Sequence, residues 1–141
     1  MSKKEKFYLT TAIPYANASP HIGFALELLY TDVMARYQRM LGKDVYFLTG
    51  ADVHGQKMFK TAKESNIPVE ELAAKNSAEF ENLDDRWNIT NNDFIRTSEK
   101  RHEDRAQEFW KAGEKSGDIY KKKYSGLYCV GCEAFKTEKD L

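Results

Sequence analysis

Cysteine and proline are scarce, at two and three among 141 residues. Two cysteines cannot build a disulfide scaffold, so the fold must rest on an ordinary hydrophobic core. Net charge is also missing, because 22 basic residues meet 22 acidic ones. A balanced chain has no global attraction for nucleic acid, so DNA is not an expected partner and any RNA contact must be local. No apolar run approaches the roughly 20 residues of a membrane span, so no membrane partner is expected. The start, Met1-Ser2-Lys3-Lys4-Glu5-Lys6, is charged and lacks the apolar segment of an export signal. The cytoplasm is therefore the expected compartment. Neither the P-loop nor the dinucleotide glycine fingerprint occurs, and there is no repeat or low-complexity segment. What is present is 41% hydrophobic and 13% aromatic residues, enough for one domain with a real core.

The patterning is that of an α/β protein. Residues 7–12, Phe-Tyr-Leu-Thr-Thr-Ala, predict a buried strand. Pro14 and Asn17-Ala18-Ser19-Pro20 predict a loop. A helix is predicted over 22–41, where Ile22, Leu26, Leu29, Val33, Tyr37 and Met40 recur at helical spacing and Gly42 stops it. Residues 44–49 contain Val-Tyr-Phe-Leu, a short continuous apolar strand. The strand–helix–strand order suits a parallel pair. Further helices are predicted over 56–65, 68–87 and 99–116, the second with Leu72, Phe80 and Leu83 inward. Residues 89–97 read as extended or loop, with Phe94 and Ile95 buried. Residues 119–124 and 127–128 read as strands leading to the cysteines. A boundary near Gly117 divides the chain into 1–117 and 118–141. Two parallel strands are fewer than a doubly wound sheet carries, so the chain reads as an N-terminal piece of something longer.

Two loops follow the two strands, where ligands bind in open parallel sheets. The first runs Ala12-Ile13-Pro14-Tyr15-Ala16-Asn17 and leads to Pro20-His21-Ile22-Gly23-Phe24 at a helix mouth. Unpaired N–H groups and the positive dipole end suit a phosphate there. His21 can donate to a phosphate oxygen, and Gly23 lets a ligand approach closely. The second loop is Gly50-Ala51-Asp52-Val53-His54-Gly55. Asp52 suits an ammonium, or else caps the following helix. Tyr15 offers a ring and a hydroxyl, or else packs. His54 reads as structural, Lys121-Lys122-Lys123 as a solvated face rather than an RNA contact, and Trp87, Trp110 and the tyrosines as core. No arrangement of serine, cysteine and histidine suggests a covalent nucleophile. Cys129-Val130-Gly131-Cys132 has the spacing of half a zinc knuckle, of a redox pair, or of two reduced thiols. Zinc needs four ligands in a structural site, and neither the histidines nor the nine residues after Cys132 supply a second pair.

These residues resemble a known family. Pro14-Tyr15-Ala16-Asn17 followed by Pro20-His21-Ile22-Gly23 is similar to the first signature of class I aminoacyl-tRNA synthetases. Ala51-Asp52-Val53-His54-Gly55-Gln56-Lys57, Asp93-Phe94-Ile95-Arg96-Thr97 and Tyr128-Cys129-Val130-Gly131-Cys132-Glu133 narrow the resemblance to the methionyl-tRNA synthetases. It covers nearly the whole chain. It implies the N-terminal part of a Rossmann-like parallel-sheet catalytic domain, followed by the start of a zinc-knuckle connective insertion. It implies methionine, ATP with magnesium, and tRNA as ligands. The methionine carboxylate would attack the α-phosphate of ATP, and the methionyl group would then pass to tRNA. Within that scheme His21 would stabilise the α-phosphate and Gly23 would leave room for adenosine. Asp52 would bind the methionine ammonium, while Ala12, Ile13 and Tyr15 would line the pocket. Cys129 and Cys132 would be two ligands of a structural zinc.

The sequence departs from the family pattern at Phe24, where the signature's second histidine belongs and an ATP contact is expected. It also lacks the Lys-Met-Ser-Lys-Ser signature loop, the second half of the catalytic fold and an anticodon-binding domain, so the isolated chain is expected not to charge tRNA efficiently. The alternatives are another class I synthetase (isoleucyl, valyl, leucyl or cysteinyl), a nucleotidyltransferase sharing the His-x-Gly signature, or a non-catalytic RNA- or protein-binding relative.

Overall fold

Three parallel strands carry the first part of the chain, one more than the sequence reveals. β1 (Lys6–Thr10), β2 (Asp44–Ala51) and β3 (Asp93–Arg96) form one sheet in the order β1-β2-β3. Leu9 aligns with Phe47, and Gly50 with Ile95. Helix α1 (Ile22–Met40) joins β1 to β2, and α2 (Gln56–Glu64) with α3 (Val69–Arg86) joins β2 to β3. This computed structural model describes residues 4–137, so the charged Met1–Lys3 start and residues 138–141 lie outside the described residues. The chain divides into two units, Met1–Arg105 and Ala106–Leu141. Among the described residues no helix is long and apolar enough to cross a membrane.

The core of the first unit gathers Phe24 and Leu28 of α1, Val45 and Phe47 of β2, Met58 of α2, Leu72 and Phe80 of α3, and Phe94 of β3. Leu83 packs against it as expected, half-buried. The expected inner face of α1 is not the one used. Ile22 and Met40 are 84% and 85% exposed, and Leu26, Leu29, Val33 and Tyr37 are exposed too. The buried face is Phe24, Ala25, Leu28, Asp32 and Ala35. An apolar stripe lies on each side, so periodicity alone cannot choose between them. The alanines allow close approach, and Asp32 has polar partners awaiting it on the inner side. β1 and the first half of β2 are likewise less buried than expected. Tyr8 and Tyr46 are exposed and stack at 6.0 Å, while Val45 and Phe47 face inward. Ile95 is only half-buried, and Trp87, Trp110 and all eight tyrosines are exposed, which corrects their reading as core.

The segment 88–92 explains how so short a strand as β3 is held. Asp32 accepts from the Thr90 backbone N–H at 2.7 Å and from its hydroxyl, and it pairs with Arg36 at 2.6 Å. Burial alone would raise the Asp32 carboxyl, but these bonds outweigh it and hold it below the usual range. Arg39 donates to the Thr90 carbonyl at 2.9 Å and to Asn92 Oδ1 at 3.0 Å, and Asn92 Oδ1 also accepts from the Phe47 N–H at 2.8 Å. α1 thus fixes the entry of β3 through side chains far apart in sequence.

Asp84, near the end of α3, is the costly member of this region. It is 9% exposed and accepts from Asn91 Nδ2 at 2.7 Å through Oδ2, while its buried Oδ1 has no partner among the described residues. Burial pushes its carboxyl from 3.8 up to about 6, against the Asn91 bond and with help from Glu81, Asp85 and Asp32. The folded state therefore holds its proton to higher pH than the unfolded state, and stability falls as pH rises through that interval. Asp84→Asn is expected to stabilise the fold by about 2 kcal/mol at neutral pH, with the gain vanishing below about pH 4. Urea midpoints of parent and variant across that range check this.

The second unit contains most of α4 (Lys100–Ser116), which has no buried residue, and an antiparallel hairpin of β4 (Leu127–Cys129) and β5 (Ala134–Lys136). Phe135 anchors the hairpin, with Tyr124 and Tyr128 edge-on at 4.7 and 5.2 Å. Residues 119–124, expected as a strand, form none. They face no partner strand, and three consecutive lysines leave them without an alternating apolar face.

Candidate active site

The loops after β1 and β2 meet because their strands are parallel neighbours. Tyr15 and Asp52 form an isolated parallel bridge. The Asp52 N–H donates to the Pro14 carbonyl at 2.8 Å, and the Ala16 N–H donates to the Asp52 carbonyl at 2.9 Å. Beneath them the hydroxyls of Thr11 and Thr49 lie 2.8 Å apart, buried. The approach of β2 to β3 needs Gly50, since a Cβ there would lie 2.1 Å from the Ile95 carbonyl oxygen. The two expected loops therefore lie side by side over the strand ends.

His21 is the N-cap of α1, and its Nδ1 accepts from the Gly23 N–H at 3.0 Å. An Nδ1 that accepts leaves the proton of a neutral imidazole on Nε2, as an outward donor. Gly23 has a further use: a Cβ there would lie 2.9 Å from His21 Cε1, so its lack of a side chain lets the imidazole fold back onto the helix start. An exposed donor thus sits at a helix start, whose positive dipole end suits a phosphate.

Asp52 does not cap α2. The N-cap there is Gly55, with no side-chain hydrogen bond. Instead Asp52 Oδ1 accepts from the His54 N–H at 3.1 Å and from the Thr97 hydroxyl at 3.3 Å. Among the described residues its Oδ2 accepts nothing, and is the oxygen available to an ammonium. Tyr15 is exposed, with Lys57 Nζ 5.5 Å from its ring centre. Ala12 and Ile13 are exposed on the same loop, and the Ala12 N–H donates to Glu27 at 2.6 Å.

Phe24 departs from its expected place at the ATP contact. It is 5% exposed and meets Phe80 edge-on at 5.1 Å in the core. One residue past Gly23 the helix has turned this side chain inward, away from the exposed His21. His54 lies elsewhere, on a cleft of about 530 Å³ with Phe59, Val69, Ala73 and Arg96. That cleft is not lined by His21, Tyr15 or Asp52.

Three supporting roles escaped the sequence reading, though Thr97 belongs to a segment it singled out. Asn76 of α3, buried, donates to the Ala16 carbonyl at 2.7 Å and so fixes the first loop. Glu27 holds Ala12, and Thr97 holds Asp52. A polar residue among the inward positions of a helix is the one signal that could have found Asn76.

In the second unit, the Cys132 N–H donates to Cys129 Sγ at 3.4 Å. Hydrogen bonding from Cys132 lowers the Cys129 thiol below its ordinary range. Such a turn offers two sulfurs at a spacing suited to zinc, but that is two ligands where four are needed. Among the described residues no group of three or more histidine, cysteine or acidic side chains could hold a metal.

Known proteins resemble this chain over nearly its whole length. The family model described as tRNA synthetases class I (M) matches residues 7–141. The methionine–tRNA ligase of Rhizobium meliloti is 51% identical over 140 residues, which is 99% of this chain and 27% of that protein. The Thermotoga maritima methionine–tRNA ligase is 43% identical over 96% of this chain and 22% of its own length. The structure of Mycobacterium tuberculosis methionyl-tRNA synthetase in complex with methionyl-adenylate superposes with a TM-score of 0.92 at 41% identity, covering 96% of this chain and 26% of that one. The chain spans about a quarter of the length of these relatives. It belongs to the class I aminoacyl-tRNA synthetases, in the family of the methionine–tRNA ligases.

Proposed function

We propose that this chain supplies the methionine- and ATP-binding part of a methionine–tRNA ligase. On this reading residues 1–117 are the first half of the catalytic domain and 118–141 begin its connective insertion. The observation that carries the proposal is the bridge between Tyr15 and Asp52 over the strand ends, on the same loop that leads to the His21 cap. Asp52 Oδ2 binds the methionine ammonium. Ala12, Ile13 and Tyr15 line the pocket for its side chain. The methionine carboxylate then attacks the α-phosphate of magnesium-bound ATP, forming one P–O bond and expelling pyrophosphate. His21 Nε2–H donates to the phosphate oxygen on which charge grows, and Gly23 leaves the adenosine room. No enzyme nucleophile is needed, because both reacting groups belong to substrates, so catalysis is positioning and charge stabilisation. The methionyl group passes next to tRNA, which fits work in the cytoplasm. Cys129 and Cys132 hold two of the four positions of a structural zinc.

The test is amino-acid-dependent ATP–pyrophosphate exchange by a full-length ligase carrying these 141 residues. Exchange is expected with methionine and near background with isoleucine, leucine, valine and cysteine. Preference for any of those four contradicts the proposal.

A further inference from the structure

In the segment Asp93-Phe94-Ile95-Arg96-Thr97 the last two side chains tie the end of β3 to α3 and to the second loop. Arg96 donates through Nε to Ser77 Oγ at 3.0 Å and pairs with Glu81 of α3, so the end of β3 is anchored to a helix. Thr97 follows immediately and is 7% exposed. Its hydroxyl is used twice: it accepts from the Val53 N–H at 3.0 Å and donates to Asp52 Oδ1 at 3.3 Å. Its backbone is fixed as well, by the Thr97 N–H to the Ala51 carbonyl at 3.3 Å and by His102 Nδ1 at 3.0 Å from the Thr97 carbonyl.

We propose that Thr97 is the positioning residue for Asp52, turning Oδ2 toward the ammonium of the amino-acid substrate. This rests on the ammonium-binding role of Asp52. A hydroxyl has one proton, and the Val53 N–H occupies an acceptor site, so that proton is directed at the carboxylate. With Oδ1 held by Thr97 and the His54 N–H, the carboxylate plane is set before substrate arrives. Substrate then finds a fixed acceptor and orders no side chain on binding. Thr97 touches neither substrate nor the reacting atoms. Its effect must fall on ammonium recognition and not on the phosphoryl step.

The experiment measures exchange kinetics in a full-length ligase carrying these residues. Thr97→Val keeps the shape and deletes the hydroxyl, and Thr97→Ser keeps the hydroxyl. Thr97→Val is expected to raise the methionine KM roughly tenfold, as for loss of one hydrogen bond to a charged group. Its ATP KM should stay within about twofold, and Thr97→Ser should restore the parent methionine KM. Inhibition by desamino-methionine, which lacks the ammonium, should be equal in all three. Thr97→Ala leaves space for water at the Val53 N–H and carries the same expectations should Thr97→Val not fold. An unchanged methionine KM, an equal rise in both KM values, or no rescue by serine overturns the proposal. Asp52→Asn in the parent separates the two layers: an unchanged methionine KM there sinks the ammonium reading itself, whereas a raised one with normal Thr97 variants sinks only this inference.

Discussion

Replacing His21 with alanine is expected to slow methionyl-adenylate formation by about a hundredfold to a thousandfold, the usual cost of losing one donor to a developing charge. The methionine KM should change little, because on the proposed reading Asp52 and not His21 meets the ammonium. The difficulty is that His21 is also the N-cap of α1, through Nδ1 and the Gly23 N–H at 3.0 Å. Removing a cap costs about 1 kcal/mol of stability, and a loosened helix start would also reduce the rate. His21→Asp separates the two roles. Aspartate is a good cap but has no proton to donate and repels a phosphate. It should leave the urea midpoint at or above that of the parent while the rate falls at least as far as in His21→Ala. Single-turnover measurement of adenylate, with unfolding curves on the same samples, decides the matter. A His21→Asp ligase of normal rate would make the imidazole a cap and nothing more.

Phe24 is expected to matter for folding and not for ATP. Its ring is 5% exposed and edge-on to Phe80 at 5.1 Å, joining α1 to α3. Phe24→Ala should destabilise by about 3–5 kcal/mol, as for other large core truncations. Against a typical total of about 5–15 kcal/mol that is a large share, so partial unfolding at 37 °C is the expected appearance. Phe24→His, which restores the residue usual in the family signature, is the sharper variant. It places a polar ring against Phe80 and should cost roughly 2–3 kcal/mol where no partner meets its nitrogens. It should bring no gain in the rate of activation. Urea unfolding at unchanged slope measures the first effect, and exchange kinetics under conditions where the variant is folded measure the second. A faster, equally stable Phe24→His ligase would show that this position reaches the nucleotide.

Local sequence signals located the elements that have them. Gly42 after α1, Gly117 after α4 and the loop residues around Pro14 and Pro20 mark ends that a local pattern can reveal. So do the two loops that meet at Tyr15 and Asp52, since parallel neighbours must bring their carboxyl ends together. β3 escaped because four residues carry no period, and because what holds it is a set of side chains on α1 reaching across more than fifty positions to Thr90 and Asn92. The face of α1 escaped because apolar residues lie on both sides. The orientation of Phe24 escaped because a signature is read along the chain, whereas a helix sends consecutive side chains about 100° apart. The roles of Asn76 and Thr97 escaped for the same reason as β3: their partners, Ala16 and Asp52, are 60 and 45 positions away. Sequence pattern reports a residue's own element well, and reports poorly what another element will bring to it.

On the proposed reading one site, over the ends of β1 and β2, holds methionine by Asp52 and the α-phosphate by His21. A crystal structure of a full-length ligase carrying this chain, with methionyl-adenylate bound, measures it most directly. The expected result is the ligand ammonium on Asp52 Oδ2, a phosphate oxygen on His21 Nε2, and the thioether beside Tyr15 and Ile13. A ligand seated instead in the cleft of His54, Phe59 and Arg96, or one whose ammonium meets a group other than Asp52, would contradict it.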